Sequence, residues 1–272
     1  MNRKTVIKLT ESAVMIAIAT VLGLIRIVEL PYGGSVTIAS MLPIVIIAYR
    51  NGMGYGLISG LVYGAIQQLL GLHTLSWVST WQSVLAVILL DYIIAFAVIG
   101  FSGIFRSKKI DQAAALTLGA LFVCVLRYMC HVISGATVWA GLSVPTAGAL
   151  INSFAYNATY MIPETIVLLI TAYYIGSMID FRTGRPTRLI RHKDQKRIPV
   201  IYYPAGLCIV GALIFDIASV FSKLQNGVTG EWNIAGLSQV NWIAVMIVSL
   251  SAALIAAVLC LIAKKTRGNK NS

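Results

Sequence analysis

Charge is what this sequence has least of. Asp, Glu, Lys and Arg make up 11% of its 272 residues, against 58% hydrophobic residues and a mean hydropathy of +0.84. No soluble core of this size buries that much apolar surface, so the chain reads as a polytopic membrane protein. Acidic residues are the scarcest class, nine against 21 basic ones, for a net charge of +12. On so apolar a chain this excess suits loops held against anionic lipid, and no nucleic-acid partner is expected. The four cysteines, Cys124, Cys130, Cys208 and Cys260, sit singly inside apolar runs without a CxxC pair, which leaves no disulfide framework or zinc site and assigns them to packing. There is no HExxH, no nucleophile elbow and no GxxxxGKS/T phosphate loop. An intramembrane enzyme is therefore not expected, nor a metal or cofactor, and any ATP is hydrolysed by a partner.

What is present is a series of apolar windows near 8–28, 37–50, 54–72, 82–104, 113–133, 150–178, 200–222 and 241–263. Eight helical segments are expected, the second short, the sixth long, with Pro43 and Pro163 as sites of kinks or re-entrant stretches. The first follows Asn2-Arg3-Lys4 and runs past signal-peptide length without a small-residue cleavage pattern, so it is read as retained. All Lys and Arg except Arg26, Arg127 and Lys223 fall at the N-terminus, after the second, fourth and sixth windows, or at the C-terminus. By the positive-inside rule those loops and both termini are cytoplasmic, which makes the chain a multi-pass cell-membrane protein. The basic run at 182–197 reads as a linker, giving a membrane domain over 1–180, a linker over 181–199 and two further helices with a basic tail over 200–272. No internal repeat of the inverted type is visible.

Ionisable residues inside a span are costly, so Asp91, Arg127, His131, Glu164 and Asp216 are the first functional candidates. With the fourth window running inward, Asp91 lies roughly 14 Å below its outer end, and His131 lies within a turn of the outer end of the fifth. Asn157, Tyr63, Trp81 and Trp139 fall in the same outer half. One carboxylate, one imidazole, one amide and several aromatic rings suit a flat organic cation, held by cation–π contact and a desolvated carboxylate. The bland readings are a buried ion pair of Asp91 with Arg127, interface anchoring for Trp77 and Trp81, and a Glu164 that bonds backbone groups freed by Pro163. In the first window Ala13, Ala17 and Ala19 form a small-residue surface that lets another helix approach.

The most specific stretches are Leu90-Asp91-Tyr92-x-x-Ala95-Phe96-x-x-x-Gly100-x-x-Gly103-x-Phe105, Arg127-Tyr128-x-x-His131-x-x-x-Gly135-x-x-x-Trp139 and Ser153-Phe154-x-x-Asn157. In these the chain resembles, over roughly 5–178, the thiamine-specific substrate-binding (S) components of energy-coupling factor (ECF) transporters, the ThiT/YuaJ family. The resemblance implies an all-α, six-helix bundle enclosing a thiamine site, here followed by two extra C-terminal transmembrane helices that the family lacks. It implies that Asp91 binds the aminopyrimidine, that His131 and Trp139 sandwich the thiazolium, and that Asn157 is a polar contact. Tyr63 and Trp81 match aromatic wall positions, Tyr92 adjoins the acidic residue, and Asn152 stands where the family more often has Tyr. The family's acidic residue is usually Glu, one methylene longer than Asp91. Ala13, Ala17 and Ala19 match the motif that docks on a transmembrane coupling subunit, which works with two ATPases. The rival from the residues alone is a proton- or cation-coupled carrier in which Asp91, Glu164 and Arg127 form a relay.

Overall fold

In the computed structural model the described residues are 2–30, 34–78, 80–107, 110–139, 146–189, 202–224 and 234–268. They are mostly helical, in the order α1 (Arg3–Leu24), a strand pair β1 (Arg26–Glu29) and β2 (Ser35–Thr37), α2 (Leu42–Asn51), α3 (Met53–Leu70), α4 (Trp81–Phe105), α5 (Gln112–Trp139), α6 (Ala147–Met178), the short strands β3 (Ile179–Asp180) and β4 (Thr187–Arg188), α7 (Tyr202–Leu224) and α8 (Trp242–Gly268). Short 3-10 turns lie at Leu72–Trp77 and Ile234–Gln239. Among the described residues α1, α4, α5, α6 and α8 are long and apolar enough to cross a membrane. The ten residues of α2 rise only about 15 Å, half the hydrocarbon thickness, so the second window holds a buried short helix rather than a full span. From Leu42 to Tyr49 every residue of α2 is buried, and it forms much of the core.

The two strand pairs correct the all-helical expectation. Beyond Leu24 the helix gives way to β1, whose residues alternate between half-buried and exposed, and β1 pairs antiparallel with β2, Val28 opposite Val36 and Glu29 opposite Ser35. An Arg26–Glu29 ion pair lies on β1.

Residues up to Leu189 form one compact unit and those from Ile190 a second. Within the first, α3 and α4 meet through glycine. Gly56, Gly60 and Gly64 lie four residues apart on one face of α3. A Cβ on Gly64 would fall 2.6 Å from the Tyr92 carbonyl oxygen, and one on Gly60 would strike that of Phe96. Backbone-to-backbone approach of this kind needs small residues. At one end of this unit a polar clasp gathers the chain. Arg50 pairs with Glu11 of α1 and donates to the carbonyls of Phe181, Thr183 and Gly184. Gln112 donates to the carbonyls of Gly176 and Ile179 and accepts from the Phe181 N–H. Hydrogen bonds of this kind across helices stand in for water that a bilayer does not supply.

In the second unit α7 packs on α8, and the Ser249 hydroxyl donates to Asp216 Oδ2, which supplies the partner that the sequence did not name. Of the expected linker, Arg191, Lys193, Lys196 and Arg197 lie outside the described residues, as does Lys270 of the tail.

Gly60→Val is expected to force α3 from α4 and lower the melting temperature sharply or abolish monodisperse protein. Gly54→Ala, which meets no atom within 4 Å, is expected to leave stability unchanged or raise it by up to about 1 kcal/mol. Thermal unfolding in detergent compares the two.

Candidate functional site

Asp91 lies in a π-helical stretch of α4, Ile88–Ile94, and Trp139 ends another on α5, Gly135–Trp139. Each wide turn inserts a residue into the helical register and re-aims the side chains on it, a distortion common at functional sites. Together they bring the two residues into contact. Asp91 Oδ2 accepts from Trp139 Nε1 at 3.0 Å and from the Ser134 hydroxyl at 2.6 Å, and Oδ1 faces His131 Nδ1 at 2.9 Å. The carboxylate side chain is 14% exposed and the imidazole 10%, so this is a largely desolvated cluster.

The tautomer of His131 follows from its other neighbour. Arg127 Nη2 lies 3.5 Å from Nε2, and a guanidinium can only donate. Nδ1 is then the donor toward Asp91, a hydrogen placement assigned from the network. Arg127 is itself buried, stacked 4.4 Å from the Phe96 ring centroid, with Nη1 on the Met41 sulfur. The expected alternative of an Asp91–Arg127 ion pair is not what forms. Among the described residues Asp91 pairs with His131, one turn further along α5.

Asn157 joins from α6. Its amide donates to the His131 carbonyl at 3.3 Å and the Ser153 carbonyl at 2.9 Å, while Oδ1 accepts from the Tyr160 hydroxyl at 2.6 Å. The Tyr160 ring stands 6.2 Å from the His131 ring, edge on. α5 and α6 close up at this level because residue 135 is glycine: a Cβ there would strike the Ser153 hydroxyl.

The structure thus brings Asp91, His131, Trp139 and Asn157 together and adds Ser134 and Tyr160. Both additions sit three residues from a named partner, His131 and Asn157, so helical spacing was the signal that could have found them. Other expected residues lie elsewhere. Tyr63 is buried against the Ala19 carbonyl and, edge on, the Phe96 ring, because it fills the α1–α3–α4 core. Tyr92, next to Asp91, points away to the Thr74 hydroxyl, since adjacent residues on a helix do not share a face. Trp81 is 72% exposed at the start of α4, the disposition of an interface anchor. Asn152 is exposed on α6, on a different face from buried Ser153. On α1, Ala13 and Ala17 are exposed, but Ala19 is fully buried, two residues and about 200° further round the helix. Glu164 does not serve backbone groups freed by Pro163. It accepts from the backbone N–H and hydroxyl of Thr37 in β2.

A sequence profile described as thiamine transporter protein (Thia_YuaJ) matches residues 9–180. The chain belongs to the thiamine transporter family. Its residues are 38% identical over 178 positions to the thiamine transporter ThiT of Bacillus subtilis (strain 168), covering 61% of this chain and 88% of that one. Its fold resembles the solved structure of ThiT from Listeria monocytogenes, with a TM-score of 0.52 and 24% identity, over 64% of this chain and 95% of that one. This thiamine transporter family member is thus a multi-pass cell-membrane protein whose role is transport rather than catalysis. The matched segment ends at residue 180, so α7 and α8 lie outside it.

Replacing Asp91 by Leu removes the acceptor of three donors at once. The expected result is a loss of about 1–3 kcal/mol of stability and an upfield shift of the Trp139 indole N–H resonance. Both are checked by thermal unfolding and by NMR of indole-labelled protein.

Proposed function

We propose that the chain captures thiamine, or a close analogue with the same charge, from outside the cell as the substrate-binding subunit of an ECF transporter. The observation that carries this reading is the desolvated Asp91 carboxylate, hydrogen-bonded to both the imidazole and the indole that flank it. Among the described residues no Lys or Arg is bonded to the Asp91 carboxylate, whose partners are an imidazole, a hydroxyl and an indole N–H. A bound organic cation supplies that missing charge partner, which supports a cationic ligand over an anionic one.

In this reading Asp91 accepts from the aminopyrimidine, His131 and Trp139 stack on the thiazolium, and Asn157 supplies a polar contact. A carboxylate offers about four lone-pair sites, and three protein donors already use Asp91. The remaining site on Oδ1 is open to the ligand's amino group, and in this reading the Trp139 N–H leaves Oδ2 so that the indole stacks on the cation. The Bacillus relative is named a thiamine transporter, which supports the substrate class.

Movement across the membrane is assigned to an ECF transmembrane coupling subunit and two ATPases, docked on the exposed Ala13 and Ala17 of α1. Residues 1–180 act as the binding domain, 181–199 as a linker and 200–272 as an added helical pair, with both termini cytoplasmic. The proton-coupled alternative finds less support. Among the described residues no hydrogen bond joins Glu164 to Asp91 or Arg127, so the three do not form a continuous relay.

The test is a fluorescence titration of purified protein with thiamine, its phosphates, the isolated hydroxymethylpyrimidine and riboflavin. Tight quenching by thiamine, lost in Trp139→Ala, is expected, and Asp91→Asn is expected to weaken binding by about ten- to a hundredfold while the protein stays folded. Absence of binding by every compound refutes the reading. Bulky residues at Ala13 and Ala17 are expected to stop uptake in vesicles containing the coupling subunits and leave the titration unchanged.

A further inference from the structure

Glu164 is 4% exposed, on a helix, and has no cation bonded to it among the described residues. A carboxylate so placed is costly unless something specific depends on it. Its two oxygens are taken by one residue of the β1–β2 hairpin, the Thr37 N–H on Oε2 at 2.5 Å and the Thr37 hydroxyl on Oε1 at 2.7 Å. The Ser40 hydroxyl, 2.9 Å from Thr37 Oγ1, completes the knot.

The same face of α6 holds the hairpin a second time. Tyr160, one turn before Glu164, lies directly under Gly34, where a Cβ would come 2.5 Å from the Tyr160 ring. Gly34 in turn closes the hairpin by accepting from the Leu30 N–H at 2.7 Å. Tyr160 donates to Asn157, and Asn157 donates to the carbonyl of His131. A single stripe of α6, at residues 157, 160 and 164, therefore links the hairpin to the Asp91 cluster.

We infer that Glu164 is a positioning residue for ligand binding: its buried carboxylate fastens the β1–β2 hairpin by Thr37 so that Gly34 is seated on Tyr160, which fixes Asn157 and His131 beside Asp91. The inference rests on the ligand site proposed above. Both Glu164 oxygens meet Thr37 donors, so the hairpin contact uses the two acceptor atoms that a carboxyl group offers. Glutamine keeps one acceptor and loses the other.

The experiment measures hydrogen exchange without ligand and thiamine titration on Glu164→Gln, Glu164→Ala and Thr37→Val. Expected in Glu164→Ala is faster exchange over residues 26–37 with α5 and α6 still protected, and thiamine affinity lowered by roughly tenfold or more. Glu164→Gln and Thr37→Val, each keeping part of the contact, are expected to fall between it and the parent. Unchanged exchange of the hairpin overturns the inference, as does exchange that rises equally through α5 and α6, the mark of a core residue only. Unchanged affinity with a loosened hairpin overturns it too. If Glu164→Ala fails to fold, Thr37→Val decides by the same criteria. Failure of the parent itself to bind thiamine overturns the proposed function instead, and the ligand-free exchange still reports on the anchor.

Discussion

The Asp91 carboxylate is the constraint to which the rest of the first unit answers. An ionised group away from water holds its charge only while donors surround it, and among the described residues they come from α5: His131, Ser134 and Trp139. Three donors from one helix onto one residue of another fix both the spacing and the rotation of α4 against α5. The two π-helical turns are how the chain meets that demand, since a regular helix keeps residues 131 and 134 on one face but turns residue 139 away from them.

Around this cluster the packing grades from polar to apolar. Arg127 sits between the two regimes, its guanidinium on the Phe96 ring, the Met41 sulfur and His131. The core below is built on α2, which is too short to span but fully sequestered, and on the glycine face of α3 that admits α4 at backbone distance. At the far end, Arg50 and Gln112 satisfy carbonyls where α6 ends and β3 and β4 begin. The Asp91 cluster is held from one side by helix contact and from the other by the hairpin, with a clasp at the opposite end keeping the helix ends in register.

Family membership and chemistry meet in this arrangement without being the same argument. The profile match covers residues 9–180 and establishes what kind of protein this is. The ligand reading depends on the desolvated Asp91 carboxylate and on the aromatic and imidazole groups around it. Ser134 and Trp139 both close on Oδ2 of Asp91 in the ligand-free chain. The added pair, α7 and α8, has its own internal polar contact, Asp216 with Ser249.

From the sequence alone, hydropathy determined the class of protein and the approximate places of its apolar helices, because a bilayer imposes length and apolarity on any segment that enters it, although the first window ran into β1 and the second began in β2. Charge scarcity also made the functional candidates few enough to name, and Asp91, His131, Trp139 and Asn157 were among them. Tertiary structure decided the rest. Which residues share a face depends on where a helix departs from 3.6 residues per turn, and nothing local announces the π turns at Asp91 and Trp139. Trp81, Asn152 and Ala19 were placed by depth or motif, and depth does not say which way a side chain turns. The hairpin was hidden because its strands are four and three residues long, too short for period-two patterning to stand out beside apolar helices. The partner of Glu164 lay 127 residues away in sequence, and only the folded chain could bring Thr37 to it.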